Sequence, residues 1–91
     1  MRIDKWLKVS RIIKRRETAK DLCLDGDILI NDKQAKPMSE VAPGDTLTMR
    51  LGKHRITAKI LRVLPYAKKE EAETMYEILE DKIIKEAEEH V

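Results

Sequence analysis

Eight cations crowd the first twenty residues of this 91-residue chain: Arg2, Lys5, Lys8, Arg11, Lys14, Arg15, Arg16 and Lys20, against two acids, Asp4 and Glu17. Guanidinium and ammonium groups at this density suit one chemistry above others, the binding of phosphates on a polyanion. Arg15 and Arg16 are the most pointed pair. They fall at the predicted start of a helix, where the dipole disfavours cations and Ser, Asp or Asn would cap better. The same place suits an anion, because free backbone N–H groups and guanidinium forks can converge on one phosphate. Such a conflict between local stability and charge tends to mark a site.

Groups for other chemistry are sparse. His54 lies beside a turn and His90 near the C-terminal end, and with the lone Cys23 they offer no metal-ligand spacing. The three glycines are isolated turn signals rather than a phosphate-cradling loop. No catalytic residue, metal or cofactor is therefore expected. Trp6, Tyr66 and Tyr76 are scattered, and there is no Phe. Stacking platforms for splayed bases are accordingly not expected. Cations alone can follow the backbone of folded, double-helical RNA, and charge alone also allows double-stranded DNA.

The elements that must position these cations follow from periodicity. Ile3, Trp6 and Leu7 share one side of a short helix, with Arg2, Lys5 and Lys8 opposite and Asp4 in the first turn. Ser10 to Lys14 reads as a connection that turns Ile12 or Ile13 inward. A second helix runs from Arg15 or Arg16 to Asp25, with Ala19, Leu22 and Cys23 on its apolar face and Gly26 as its C-cap. Leu24 is expected against the first helix, and Cys23 as a small buried hydrophobe. Past Gly26 the period changes to two. Strands are predicted over 28–30, 33–36, 46–51 and 54–64, joined by turns at Asn31-Asp32, Pro43-Gly44 and Gly52-Lys53. Val63 is out of step with Ile56, Ala58 and Ile60, which points to a bulge or bend. After Pro65, residues 67–88 read as a third helix with the stripe Ala72, Met75, Tyr76, Leu79 and Ile83, its last turns fraying from about Lys85.

The net charge of +2 hides a division. Residues 1–64 hold 15 Lys/Arg and 8 Asp/Glu, whereas residues 65–91 hold 4 and 9. The expected fold class is α+β: two N-terminal helices on a small, mostly antiparallel sheet, then an acidic C-terminal helix. An RNA-binding domain is expected over 1–66 and the acidic amphipathic helix over 67–91. One cysteine fits a reducing compartment, and no apolar run approaches the roughly 20 residues of a membrane span. A soluble, cytoplasmic monomer with no membrane partner is expected.

One family joins these signals. Arg2-Ile3-Asp4-Lys5-Trp6-Leu7, Arg15-Arg16 with Ala19, Gly26-Asp27-Ile28-Leu29-Ile30-Asn31, Pro37 with Ser39, and Pro43-Gly44-Asp45 occur in that order. Over about residues 1–51 the chain resembles the RNA-binding domain named after ribosomal protein S-four of the small subunit. The resemblance implies the alpha-L motif, whose helix pair and adjoining hairpin grip structured RNA. It places that role on Arg2, Lys5 and Arg16, with Lys8, Arg11 and Arg15 beside them. Many members have Ser where this chain has Arg15, so the expected cap of the second helix is missing.

Farther along, Lys68-Lys69-Glu70-Glu71-Ala72 and Met75-Tyr76-Glu77-Ile78-Leu79 extend the resemblance to a bacterial ribosome-associated quality-control branch of that family. It implies a non-catalytic factor that binds large-subunit rRNA and peptidyl-tRNA on obstructed large subunits. There it would support RqcH, which adds alanine tails to the stalled chain. A related small heat-shock protein shares the domain and the obstructed-subunit target but typically carries a longer, basic extension, unlike the acidic end here. A generic structured-RNA module, the RNA-binding half of a modifying enzyme and a protein adaptor using the acidic helix are the other readings. The catalytic half of such an enzyme is not expected in 91 residues.

Overall fold

The computed structural model describes residues 1–83. Helix α1 (Ile3–Val9) buries Ile3, Trp6 and Leu7 completely, as their spacing requires. It has no side-chain cap, and the loop at 37–39 supplies one from its backbone. The Ile3 N–H donates to the Ser39 carbonyl at 2.7 Å and the Asp4 N–H to that of Pro37 at 3.4 Å. Two donors that every helix start leaves orphaned are thereby satisfied from a distant loop. Arg11, at a left-handed φ of 64°, reverses the chain after α1, and Ile13 rather than Ile12 turns into the core.

Helix α2 (Arg16–Leu24) begins one residue past Arg15, which is extended and makes no cap bond. It ends in a Schellman motif. Gly26, at φ 80°, donates to the Cys23 carbonyl, and Asp27 donates to that of Leu22. Ala19 and Cys23 are buried. Leu24 does not pack on α1: it is 62 % exposed, about 100° round the helix from Cys23 and off the core side.

Five antiparallel strands follow: β1 (Ile28–Ile30), β2 (Lys33–Gln34), β3 (Thr46–Leu51), β4 (His54–Ile60) and β5 (Tyr76–Ile83), in spatial order β2-β1-β3-β4-β5. Asn31 and Asp32 both take positive φ, the requirement of a two-residue I′ hairpin. The Asn31 side chain then ties that hairpin to Asp45 and to the Thr46 N–H. Cross-strand pairs Ile28–Met49, Ile30–Leu47, Leu47–Ala58 and Met49–Ile56 line one face of the sheet. Ile28, Leu47, Met49, Ala58 and Ile60 form the core with Ile3, Trp6, Leu7, Ile13, Ala19 and Cys23. The α+β class and the helix pair on an antiparallel sheet are as expected.

The C-terminal helix is not. Among the described residues of that segment a single helical turn forms, α3 (Lys69–Ala72), and residues 76–83 are strand β5. The stripe that read as helical is divided between them: Ala72 and Met75 are buried, Tyr76 is half-buried, and Leu79 and Ile83 face solvent. Two contacts end the helix, one local and one from the segment after β4. The Thr74 hydroxyl donates to the Glu71 carbonyl at 2.6 Å, and the Met75 carbonyl accepts the N–H groups of Leu61 and Arg62. Beyond it, β4 offers an unpaired edge, and β5 fills it from Ile60–Tyr76 to His54–Ile83, with Leu79 as the extra residue of a bulge opposite Thr57 and Ala58. Long-range pairing overrides a local preference rich in Glu, Leu and Lys. The fraying expected from Lys85 and the position of His90 lie outside the described residues. Val63 is out of step because β4 has already ended at Ile60.

Trp6 joins the layers. It is fully buried, its Nε1–H donates to the Arg62 carbonyl at 3.0 Å, and its ring packs edge-to-face with Tyr76 at a centroid distance of 6.5 Å. Trp6→Ala should cost roughly 3–5 kcal/mol of unfolding free energy, read from denaturant midpoints; a loss below 1 kcal/mol would mean that the site collapses around the cavity. Cys23 is a buried free thiol whose pKa is raised from 9.0 to about 11, by burial first and by the Asp4 charge second. A raised folded value favours the protonated native form, so this contribution is complete below pH 9.0 and is lost as pH climbs through about 11. The stability difference between wild type and Cys23→Ala should therefore shrink over that window. A constant difference would show an ordinary thiol.

Candidate nucleic-acid interface

Asp4 is the one acid of the helix pair that is buried; its side chain is 3 % exposed. Two guanidinium groups close over it. Arg2 Nη2 reaches Oδ2 at 3.1 Å, Arg16 Nη2 reaches Oδ1 at 3.3 Å, and the Lys5 N–H donates to Oδ1 at 2.8 Å. Both arginines stay nearly half-exposed, at 47 % and 44 %. Each is thus held at one end of its fork with further N–H donors left toward solvent. The carboxylate sets where two cations stand on the surface and links the start of α2 to α1.

Seven of the eight N-terminal cations line one or other of two grooves, with Arg16 in one and Arg2 in the other. Lys5, Lys8, Arg11, Lys14 and Arg16 line an open groove of about 630 Å³, completed by Val9, Ile12, Ile13, Pro65, Tyr66 and Ala67. None of its lining residues is acidic. Arg2 and Lys20 line the other, of about 540 Å³, together with Lys36 and the more apolar Leu24, Pro37 and Met38. Arg15 lines neither. The expected convergence of Arg15 and Arg16 on one anion is not the geometry found, because Arg15 is the extended N-cap residue while Arg16 turns to Asp4. Arg2 likewise leaves the row it was expected to form with Lys5 and Lys8. What converges is Arg2 and Arg16, on an internal carboxylate.

Sequence reasoning missed three participants. Asp4 read as a helix-dipole residue, and only its burial reveals an anchor. Lys36 arrives in the second groove with the loop that caps α1. Tyr66 arrives with the segment between β4 and α3; it is 81 % exposed and lines the five-cation groove. Its proximity to Lys5 and Arg16 leaves no trace at a separation of fifty residues or more. Among the described residues, the acids of the C-terminal third line neither groove. Glu77, Glu80 and Asp81 sit on β5, the opposite edge of the sheet from β2.

Among the described residues no group of three or more His, Cys, Asp or Glu could hold a metal ion, and no helix is long and apolar enough to cross a membrane. The arrangement suits an extended anion. Five cations along one wall, with a buried carboxylate fixing one of them, can engage successive phosphates of a nucleic acid.

Comparison with known proteins agrees with the fold. The family described as the S4 domain matches residues 1–47. The chain is 51 % identical over 81 residues to the RQC P-site tRNA stabilizing factor of Bacillus subtilis, covering 89 % of this chain and 94 % of that one. It is 44 % identical over 88 residues to the protein of the same name from Halalkalibacterium halodurans, covering 97 % and 100 %. Among solved structures, trimeric heat shock protein 15 of Vibrio cholerae superimposes with a TM-score of 0.81 at 30 % identity, over 86 % of this chain and 80 % of that one. With the domain matched over more than half its length and these relatives along nearly all of it, the chain belongs to the S4-domain family, in the RqcP branch of RQC P-site tRNA stabilizing factors.

Proposed function

We propose that the protein is a non-catalytic RNA-binding factor of ribosome-associated quality control, which holds P-site tRNA against large-subunit rRNA on subunits obstructed by peptidyl-tRNA. The observation that carries this reading is the acid-free groove of five cations on the helix pair, in a chain whose relatives are named for stabilising P-site tRNA. On this reading the RNA-binding unit is residues 1–66, and Lys5, Lys8, Arg11, Lys14 and Arg16 engage phosphates in one groove. Arg2 and Lys20 serve a second RNA segment, and Arg15 adds exposed charge between them. The factor acts as a cytoplasmic monomer and supports RqcH-dependent alanine tailing of the stalled chain. The likeness to heat shock protein 15 supports a second reading, recycling of obstructed subunits. The higher identity to the RQC factors favours the first.

Two measurements test the proposal. Each phosphate contact should add about 0.7–0.9 to the slope of log affinity against log salt. Arg16→Ala should flatten that slope by about one contact and weaken binding across RNA sequences, measured on protein shown to be folded because the substitution removes one of the two cations on buried Asp4. An unchanged slope and affinity would remove Arg16 from the interface. In sedimentation, the protein should travel with peptidyl-tRNA-obstructed large subunits in preference to empty ones. Equal association with both would defeat the quality-control assignment and leave RNA binding standing.

A further inference from the structure

Of the three aromatic residues in the chain, two are committed to the fold: Trp6 is fully buried, and Tyr76 lies half-buried against it. Tyr66 is not. Its ring is 81 % exposed, and no hydrogen bond or ring partner engages it among the described residues. The backbone beneath it is nonetheless well tied down. Pro65 precedes it with a fixed φ, and Leu64 and Ala67 pack against the core on either side. Four residues upstream, the Arg62 carbonyl is bonded to Trp6, and the Arg62 guanidinium donates to the Thr74 hydroxyl at 2.8 Å. A large aromatic ring is therefore presented to solvent on a braced segment, with no gain to folding from its burial.

Its neighbours give the ring a use. It shares its groove with Lys5, Lys8, Arg11, Lys14 and Arg16, so a flat π face stands beside a row of cations without any acid. Cations alone suit a duplex backbone. A ring added to them suits a nucleotide whose base has left its stack while its neighbouring phosphates remain on the cationic wall. Three aromatics scattered in sequence give no reason to expect a stacking platform, but the fold brings one of them to the lining of the groove.

We propose that Tyr66 is a stacking platform for one unpaired nucleobase of the bound RNA, flanked by phosphates held in the five-cation groove. The inference rests on the RNA-binding reading and sharpens its ligand, from a uniform duplex to structured RNA with a bulged or looped-out nucleotide beside a helix. Stacking does not depend on base identity, so the site selects for exposure of a base and not for sequence.

The test uses the full chain and two RNA hairpins, one fully paired and one carrying a single bulged fluorescent purine analogue. Wild type should bind the bulged hairpin more tightly and quench its fluorescence. Tyr66→Ala should lose roughly 5- to 100-fold on the bulged hairpin, abolish the quenching, leave the paired hairpin unaffected and keep the salt slope. Tyr66→Phe should behave as wild type. Tyr66→Ala binding and quenching the bulged RNA as wild type does would overturn the platform, while the Arg16→Ala effect would still uphold the phosphate groove. Failure of wild type to bind either hairpin at low salt would overturn both.

Discussion

The surface depends on one buried carboxylate. Asp4 sits at the junction of α1 and α2 with almost no access to water, a position that costs several kcal/mol unless the charge is paired and hydrogen-bonded. The pairing is supplied by Arg2 from before α1 and Arg16 from the first turn of α2, and a backbone N–H adds a third bond. The constraint works in both directions. Burial of Asp4 requires both arginines to come to it, and each is thereby held at the lining of a different groove. Mobile cations would lose side-chain entropy each time they met a phosphate, about 2 kcal/mol at most for an arginine. Arginines already held at one end lose less.

The same junction explains why the helix pair lacks side-chain caps. At α2 the cap position is Arg15, which contributes charge instead of a hydrogen bond. At α1 the cap position is Arg2, and the first N–H groups are satisfied by carbonyls from the 37–39 loop. The loop also receives the chain start, since the Val41 N–H donates to the Met1 carbonyl and the terminal ammonium pairs with Glu40 at 2.6 Å. A side-chain cap is usually worth about 1 kcal/mol. Here the missing caps are offset by tertiary contacts, which leaves both N-terminal positions open to arginine.

Features set by short-range rules were legible in the chain. The face Ile3–Trp6–Leu7, the Gly26 stop and the Asn31-Asp32 and Pro43-Gly44 turns each depend on a few adjacent residues, and each is present in the fold. Features that depend on a partner far away were not. Residues 76–83 carry helix-forming composition, yet the free edge of β4 makes them a strand. The eight cations are visible as a group, but which of them share a groove depends on the distant segments 65–67 and 34–38 that complete the two linings. Tyr66 reads as a scattered aromatic in the sequence because nothing near it shows which residues share its groove.

Arg11 shows how closely the groove and the fold are bound together. The residue after the C-cap of α1 must take positive φ to reverse the chain and let Ile13 reach the core, and glycine would do so without strain. An L-residue with a Cβ takes that conformation at a cost of about 1–2 kcal/mol. The flanking bonds hold it there: the Arg11 N–H donates to the Lys8 carbonyl at 3.0 Å and the Ile13 N–H to the Leu7 carbonyl at 3.1 Å. With the backbone left-handed at this point, Arg11 lines the groove together with Lys8 and Lys14. Glycine would keep the turn and leave a gap in that wall. Fold stability alone favours glycine here, so the arginine is most simply understood through the anion that the wall is proposed to meet.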